Sequence, residues 1–545
     1  MKARQKRRSA RQSSVDIDPI TLEVFNHRLS AIAEEMGVAL CRSAFSPNIK
    51  ERRDFSCALF DAYGGLVAQA AHIPVHLGST QLSVEAAIAE RPMAPGDVVM
   101  LNDPYAGGTH LPDVTLVAPV YLSRERRPFG YVANRAHHAD IGGGTPGSMP
   151  LATEILQEGL RIPPVRLVAA GRMNEDVLDL FLANTRVTDE RRGDLLAQLA
   201  ALRLGARRLV ELSGLAGRRR VAAAMLALPA YTARLMTAAL RRIRPGLYQA
   251  QDWMDDDGAG ALSVPIRVAV RLANGRAVVD FHGTAPQVAG GINANFAVTT
   301  AAVLYVFQCL AGQSIPANAG LMKPIRILAP EGSLVNACFP SAVAGGNVET
   351  SQRIVDVLFK ALARAAPEMV PAASCGSMNN FSIGGRDINR HRDFAYYETI
   401  AGGAGAGPTR AALSAVHTHM TNTLNTPIEA LEASYPMRIV SYSIRRGSGG
   451  SGQHRGGDGV RREIELLAPA QATVLTERRR LAPFGVNGGQ PGKRGLNQFF
   501  SGGKWRRVAG KVTLRVQIGD RIAVETPGGG GWGRRATPRR WDAET

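Results

Sequence analysis

Two short glycine-containing stretches carry histidines and acids at close spacing. They read NDPYAGGTHLPD (residues 102–113) and AHHADIGGG (residues 136–144). Their candidate metal-site residues are Asp103, His110, Asp113, His137, His138 and Asp140. Imidazole and carboxylate groups together suit a borderline-to-hard divalent ion such as Zn²⁺ or Mn²⁺. The spacing matches none of the strict zinc signatures, so surface loops with hydrogen-bonded core histidines remain an open alternative.

The residues between these stretches predict how they are positioned. Apolar runs at 114–120 and 129–133 are typical of buried strands, and the polar segment 124–127 supplies a turn between them. An antiparallel pair joined in this way carries both glycine loops to the same end of a sheet. The sequence therefore predicts one centre built from two loops.

A third acid lies at the start of another predicted strand. Residues 51–61 read ERRDFSCALFD, in which Asp54 precedes an apolar run. A buried acid needs a partner. A salt bridge to Arg52 or Arg53 is one explanation, and a further direction of metal ligation is the other.

Other histidines offer weaker signals. His72 and His76 flank Pro74 in a loop that could line the same cleft. His417 and His419 form a His-x-His pair, which on a strand points both rings to one face and allows a second metal site.

Several elements can be predicted from local patterns. Asp18-Pro19 is typical of a helix start, with Asp as N-cap and Pro in the first turn. Helical periodicity recurs at 79–91, in a long helix that follows residues 189–198 and ends at about 215, at 219–242 and at 297–311. A Gly pair opens another helix at 345–353. Asn274-Gly275 predicts a type I′ hairpin turn.

These patterns favour a mixed α/β (α+β), multi-lobed subunit with mixed sheets, a helical hairpin and a β-rich C-terminal region. We predict a disordered basic arm at 1–15, a metal-site lobe with the hairpin at 16–245, a central α/β lobe at 246–435, and a β-rich region with a basic tail at 436–545.

Composition limits the class of protein. The chain has 545 residues and a formal charge of +19, of which eight charges lie in residues 1–14 and 534–545. The other basic residues are interspersed with acids, so a nucleic-acid binder is disfavoured. Five scattered cysteines without CxxC indicate free thiols in a reducing compartment. The sequence shows no secretory signal and no long uncharged apolar run, and we expect a cytoplasmic protein without a membrane span.

Taken together, the motifs make the chain similar to the hydantoinase B family, which includes N-methylhydantoinase B subunits, the second half of 5-oxoprolinase, caprolactamase and the acetone and acetophenone carboxylase subunits. The matching segments are residues 18–24, 46–60, 102–113, 137–149, 184–198, 345–353, 417–423, 455–459 and 526–533.

The resemblance implies an ATP-dependent cyclic-amide hydrolase acting on a hydantoin, 5-oxoproline or lactam ring. A hydantoinase A-type partner would bind ATP-Mg and phosphorylate the amide oxygen, so the resemblance also implies a hetero-oligomer. The absence of a Walker A motif from this sequence agrees with ATP binding elsewhere.

Carried onto matching positions, the metal ligands would be Asp54, His110, Asp113 and His137. Asp113 would be a fourth ligand or the base that deprotonates the attacking water, with Asp103, His138 and Asp140 nearby. An ATP-dependent ketone carboxylase subunit is the alternative within the same family.

Overall fold

The computed structural model describes residues 17–70, 73–123, 125–312 and 315–535. The predicted basic arm, His72 and all but the first residues of the predicted C-terminal tail lie outside this range. The helices are α1 Pro19–Ser43, α2 Pro47–Lys50, α3 Ser79–Glu90, α4 Glu175–Ala183, α5 Thr188–Ala216, α6 Arg218–Arg241, α7 Phe296–Ala311, α8 Ser351–Leu362 and α9 Ile428–Ser434.

The N-terminal part of the chain forms a seven-stranded antiparallel sheet in the order β2-β1-β5-β4-β3-β6-β7. Its strands are β1 Phe55–Asp61, β2 Leu66–Gln69, β3 Val98–Leu101, β4 Asp113–Val120, β5 Gly130–His137, β6 Val165–Ala169 and β7 Arg172–Met173. Strands β4 and β5 are paired neighbours, as the apolar runs predicted.

Both faces of the central strands of this sheet are covered, which explains why β1, β4 and β5 are buried along nearly their whole length. Cys57 and Leu59 belong to the hydrophobic core that contains α1 and α5. Ala58 and Phe60, on the opposite face, pack in the core that contains α3. Period-two alternation along a strand sorts the side chains in this way.

Helix α1 begins where its capping residues predicted. Asp18 caps α1 by accepting a hydrogen bond from the Thr21 amide at 2.9 Å. The helical hairpin is formed by α5 and α6. Helix α6 is long and apolar enough to cross a membrane by length and composition alone. Helices in the core of a globular protein meet the same criterion. Helix α6 buries Val221, Ala224 and Leu228 in the hydrophobic core that also contains α1 and α5.

The central part contains a four-stranded sheet in the order β11-β10-β9-β8. Its strands are β8 Gly246–Asp256, β9 Leu262–Ala273, β10 Arg276–Asp280 and β11 Ile325–Leu328. Asn274 and Gly275 join β9 to β10 with φ of 53° and 73°, the two positive values that a type I′ turn requires. Helices α7 and α8 share this sheet's core.

Two further sheets contain the C-terminal strands, in the orders β13-β12-β16-β19 and β14-β15-β20-β17-β18. Their strands are β12 Asn380–Asp387, β13 Arg392–Thr399, β14 Met437–Ile444, β15 Val460–Leu466, β16 Ala470–Leu475, β17 Leu496–Ser501, β18 Lys504–Val508, β19 Lys511–Val516 and β20 Arg521–Glu525. The first sheet joins strands from both sides of residue 435, so the predicted boundary there falls within its span.

The glycine-rich segments of this part lie outside the strands and pack against one another. The Gly403 amide bonds to the Pro527 carbonyl, and the Gly457 and Gly529 amides bond to the Ala404 and Gly457 carbonyls. A Cβ on Gly529 would lie 1.8 Å from the Ala404 carbonyl oxygen. These segments approach too closely for side chains, which is why glycine recurs there. The mixed α/β, multi-sheet architecture confirms the predicted fold class.

Candidate metal centre

Strand register brings the predicted acidic and histidine residues to one end of the N-terminal sheet. Asp113, the first residue of β4, pairs with His137, the last residue of β5. Phe55 at the start of β1 pairs with Ala136, and the His137 amide bonds to the Asp54 carbonyl at 3.0 Å. Antiparallel pairing therefore places one end of all three strands side by side.

A tight loop adds His110 to the same end. The Asp113 amide donates to the His110 carbonyl at 3.1 Å, closing a turn directly before β4. Upstream, Gly107 has φ of +85°, and a Cβ on Gly108 would lie 2.6 Å from the Asn102 carbonyl oxygen. The two glycines permit a turn that residues with side chains would block.

Three potential ligands converge here. One ligand atom from each of His110, Asp113 and His137 lies within 4.8 Å of the others, and all three residues are buried. His110 Nε2 is 3.3 Å from Asp113 Oδ1. The two imidazole centroids are 5.0 Å apart. This two-histidine, one-carboxylate set is a donor combination suited to Zn²⁺ or Mn²⁺.

The electrostatics of the cluster also suit a cation. Burial alone would raise the pKa of Asp113, but the His110 and His76 imidazoles outweigh it and hold this pKa well below its usual range. Burial, reinforced by His110, keeps the pKa of His137 well below its ordinary value. The centre therefore presents an ionised carboxylate beside a neutral imidazole, the forms that bind metal.

The unsatisfied nitrogens test whether a metal fits. Among the described residues, no hydrogen-bond partner reaches Nε2 of His76, His110 or His137. Buried polar atoms without partners are rare and costly. Asn48 contacts His137 Nδ1 at 3.1 Å, which leaves Nε2 as the nitrogen available to a ligand. The residues present therefore fit a divalent ion.

Neighbouring side chains hold the ligands in place. The Tyr397 ring stacks on His137 at 4.6 Å with an interplanar angle of 10°. Thr109 donates to Asp113 Oδ2 at 2.5 Å, and Ser56 Oγ lies 2.9 Å from His76 Nδ1. Such outer contacts fix ring orientation at metal sites.

Asp54 lies at the edge of the cluster. It lines the same cavity as Asp113 and His137, but it is outside the group of three mutually close ligand atoms. Arg52 NH2 is 3.8 Å from its Oδ2, so the predicted salt bridge forms. Burial raises the pKa of Asp54 despite that opposing arginine charge. Its metal ligation stays a prediction.

The three residues predicted to lie nearby have other partners. Arg161 pairs with Asp103, and Arg186 contacts Asp140 Oδ1 at 2.7 Å. His138 Nε2 contacts Gln198 Oε1 at 2.9 Å, and its ring lies edge-on to Phe181 in the core on the α5 side. His137 and His138 are consecutive and therefore point to opposite faces. The structure does not add these three residues to the ligand group.

The His-x-His pair does not form a second ligand group among the described residues. His419 Nε2 is 3.2 Å from Asp356 Oδ1 and lies between the Tyr305 and Phe359 rings. His419 also has φ of 58°, so the segment is not the regular strand that the pairing argument assumed.

Two residues join the centre that were not among the predicted ligands. His76 Nε2 is 3.4 Å from Asp113 Oδ2, and the sequence suggested only that its loop lined the cleft. Asn347 lines the cavity with a partnerless Oδ1, in a π-helical turn at Gly346–Thr350 that precedes α8. The Gly345-Gly346 pair was the only sequence signal for this turn.

The cavity at the centre is small. Its volume is about 20 Å³. Roughly 10–15 Å³ is needed to hold one water molecule. We call it the metal cavity. Its walls are formed by Asp54, Ile73, Val75, His76, Asp113, His137, Asn347, Val348, Met378, Tyr397, Thr399, Met420 and Thr421.

Comparison with known proteins relates the chain to a wider group. Residues 18–535 match the profile of the Hydantoinase B/oxoprolinase family. The chain is 41% identical to the 5-oxoprolinase of Saccharomyces cerevisiae over 558 residues, covering 95% of this chain and 42% of that protein. A Pseudomonas protein, provisionally named as the B-type subunit of a D-/L-hydantoinase, is 32% identical over 95% of this chain and 90% of its own length.

Two solved structures share the fold. The ATP-dependent caprolactamase from Pseudomonas jessenii has a TM-score of 0.89 and 31% identity, covering 95% of this chain and 91% of that chain. Acetone carboxylase has a TM-score of 0.87 at 18% identity, covering 95% and 76%, and this likeness concerns the fold alone. The chain thus spans less than half of the matched 5-oxoprolinase but most of the hydantoinase subunit and the caprolactamase chain.

Proposed function

The chain belongs to the hydantoinase B/oxoprolinase family, and we propose that it is the B-type subunit of an ATP-dependent cyclic-amide hydrolase. A separate ATP-binding subunit of the hydantoinase A type would activate the ring amide by phosphorylation. The coverage pattern supports this division, because the chain corresponds to under half of a 5-oxoprolinase and to most of a hydantoinase subunit. The substrate would be a hydantoin, 5-oxoproline or lactam ring.

The observation that carries the proposal is the convergence of His110, Asp113 and His137. These three residues, with Asp54 as a fourth, would hold a Zn²⁺ or Mn²⁺ ion. When bound, such an ion lowers the pKa of a coordinated water from 15.7 to about 7, which supplies a nucleophile at neutral pH.

The protein's own side chains would do the positioning. Asn48 and Tyr397 fix the His137 ring, and Thr109 fixes the Asp113 carboxylate. Asp113, held ionised by its imidazole neighbours, could ligate the ion or accept the proton of the attacking water. All residues that line the metal cavity are buried, so its walls keep the ligand groups largely out of contact with solvent.

The experiment is reconstitution with an A-type partner. The purified pair, loaded with Zn²⁺ or Mn²⁺, should open a hydantoin, 5-oxoproline or lactam ring with stoichiometric ATP hydrolysis. The isolated chain should show no substrate-stimulated ATPase activity, because its sequence contains no Walker A motif. Substrate-stimulated ATPase activity from the chain alone would overturn the two-subunit assignment.

The same assay separates hydrolysis from the carboxylase alternative. Acetone with bicarbonate replaces the cyclic amide in a parallel reaction. Incorporation of labelled bicarbonate, with no ring opening of any amide, would assign the metal centre to carbon–carbon bond formation. The cytoplasmic location and the hetero-oligomeric state stay predictions, and size-exclusion chromatography of the reconstituted pair tests the second.

A further inference from the structure

A second, larger cavity is lined by a residue next in the chain to two residues of the metal cavity. Its volume is about 350 Å³. We call it the outer cavity. Its walls are formed by Tyr305, Cys309, Leu310, Phe359, Glu368, Met369, Pro371, Gly407, Pro408, Thr409, Arg410 and His419. None of the residues proposed to hold or position the metal lines this cavity.

The metal cavity alone cannot admit a substrate. Its volume of about 20 Å³ suits a single water-sized ligand, whereas a cyclic amide carries several ring carbons. A hydrolase of this kind therefore needs a larger space that opens toward the metal ligands. The outer cavity is about the size of a small-molecule pocket, for which roughly 300–1,000 Å³ is typical.

One short segment contributes residues to the walls of both cavities. His419 lines the outer cavity, and the next two residues, Met420 and Thr421, line the metal cavity. We call residues 419–421 the gate segment.

The gate segment is held by specific contacts on its outer side. His419 bonds to buried Asp356, which also accepts a hydrogen bond from Arg478 at 2.7 Å. The Tyr305 and Phe359 rings flank the imidazole at 5.8 and 5.7 Å. The His419 side chain therefore has one polar contact and two ring contacts on this side, and the Met420 carbonyl accepts a hydrogen bond from the Val75 amide at 3.3 Å.

The chemistry of the outer cavity suits a cyclic amide. Tyr305, Leu310, Phe359 and Met369 offer aromatic and apolar surface that ring methylenes can contact. Glu368 and Arg410 add charged groups at the exposed rim. Mostly apolar walls with a few polar groups are typical of small-molecule sites.

We propose that the outer cavity receives the cyclic-amide substrate and that residues 419–421 form the gate between it and the metal ligands. This inference rests on the proposed function for the identity of the substrate. The route itself is a statement about which space leads to the metal ligands, so it can be tested without turnover.

The test uses Cys309, an exposed thiol in the wall of the outer cavity. The full-length chain is loaded with Co²⁺, and the rate at which acetohydroxamate reaches the ion is followed by the visible absorbance of Co²⁺. The protein is then labelled with N-phenylmaleimide. The matched control is Cys309→Ser treated identically, because Cys41 and Cys338 are also partly exposed.

Labelling of wild type should slow acetohydroxamate binding by about tenfold or more, since blocking the route lowers the association rate. The labelled Cys309→Ser protein should bind at the unlabelled rate. Cys309→Trp, which fills the cavity without a reagent, should reproduce the slowing while Co²⁺ content stays unchanged. Unchanged rates in both blocked proteins would overturn the proposal, and so would failure of the chain to bind Co²⁺.

Catalysis provides an independent arm. If the reconstituted pair opens a cyclic amide, Cys309→Trp should lower its kcat/KM. If no cyclic amide is opened but the Co²⁺ protein still shows blocked ligand access, the substrate assignment fails and the route stands. The two failures are therefore distinguishable.

Discussion

The consecutive residues His137 and His138 allow a sharp test of the metal centre. His137→Ala removes one of the converging ligand groups, whereas His138→Ala removes a ring that bonds to Gln198 on the opposite side of the strand. Four-ligand structural zinc sites contribute roughly 10–16 kcal/mol, or about 2.5–4 kcal/mol per ligand. Since about 1.4 kcal/mol is a factor of ten in Kd, His137→Ala should weaken metal binding about 10²–10³-fold.

Stability alone should not separate the two variants. His137→Ala loses its stacking contact with Tyr397, worth about 0.5–1.5 kcal/mol beyond the buried area. His138→Ala leaves the buried Gln198 oxygen without its partner at a cost of about 1–3 kcal/mol. Both proteins should therefore fold with modestly lower stability in the absence of metal.

The assay is competition of each protein with a chromophoric chelator for Zn²⁺, together with urea unfolding in EDTA. His138→Ala should retain a Kd close to that of wild type, since the His138 ring bonds to Gln198 on the opposite side of the strand and lies outside the ligand group. Equal metal affinities for the two variants would refute the ligand assignment. Loss of metal from His138→Ala alone would show that the opposite face of β5 carries the centre.

Three further perturbations follow from other contacts. Asp113→Asn should lose metal affinity and ring-opening activity together, because the Asp113 carboxylate lies within the ligand group. Inductively coupled plasma analysis measures the metal content beside the activity assay. Retained metal with lost turnover would make Asp113 the base instead. Arg462→Met removes the partner of buried Glu398, which Arg462 contacts at 2.7 Å. The free energy of unfolding, measured by urea titration, should fall by about 3–5 kcal/mol. A loss under about 1 kcal/mol would contradict the pairing. Burial raises the pKa of Glu158 to about 8 against the opposing hydrogen bonds from Ala344 and Val343. Between about pH 4.5 and 8 the folded state keeps the Glu158 proton, whereas the unfolded state, in which the pKa has its ordinary value near 4.5, has released it. The free energy of unfolding of the wild type therefore falls as the pH rises from about 4.5 to 8. The free energy of unfolding of Glu158→Gln should not show this fall. Urea unfolding at several pH values measures it for both proteins, and the same dependence on pH in both would contradict the prediction.

Local sequence determined much of the secondary structure and the core of the candidate centre. Asp18 caps its helix through a contact three residues away, and Asn274-Gly275 forms its hairpin because two positive φ values are needed there. The same logic placed His110, Asp113 and His137 at one end of a sheet. Two apolar strands joined by a short polar turn must pair antiparallel, and their outer ends must meet.

Alternation along a strand also separates His137 from His138, although both rings came from one motif. The sequence alone did not assign the two faces, because β5 is buried on both sides and apolar residues mark neither. Only the packed structure decided that His138 contacts Gln198 while His137 joins the ligand group.

Tertiary structure alone supplied the remaining neighbours. Tyr397 stacks on His137 from 260 residues away, and His419 pairs with Asp356 across 63 residues. His76 reaches Asp113 from a short 3-10 helix, Pro74–His76, that packs against α3 and α7. No local propensity encodes such contacts, since each depends on how separate sheets and helices meet. The sequence therefore determined which groups could bind a metal, and the packing of the sheets determined which of them converge.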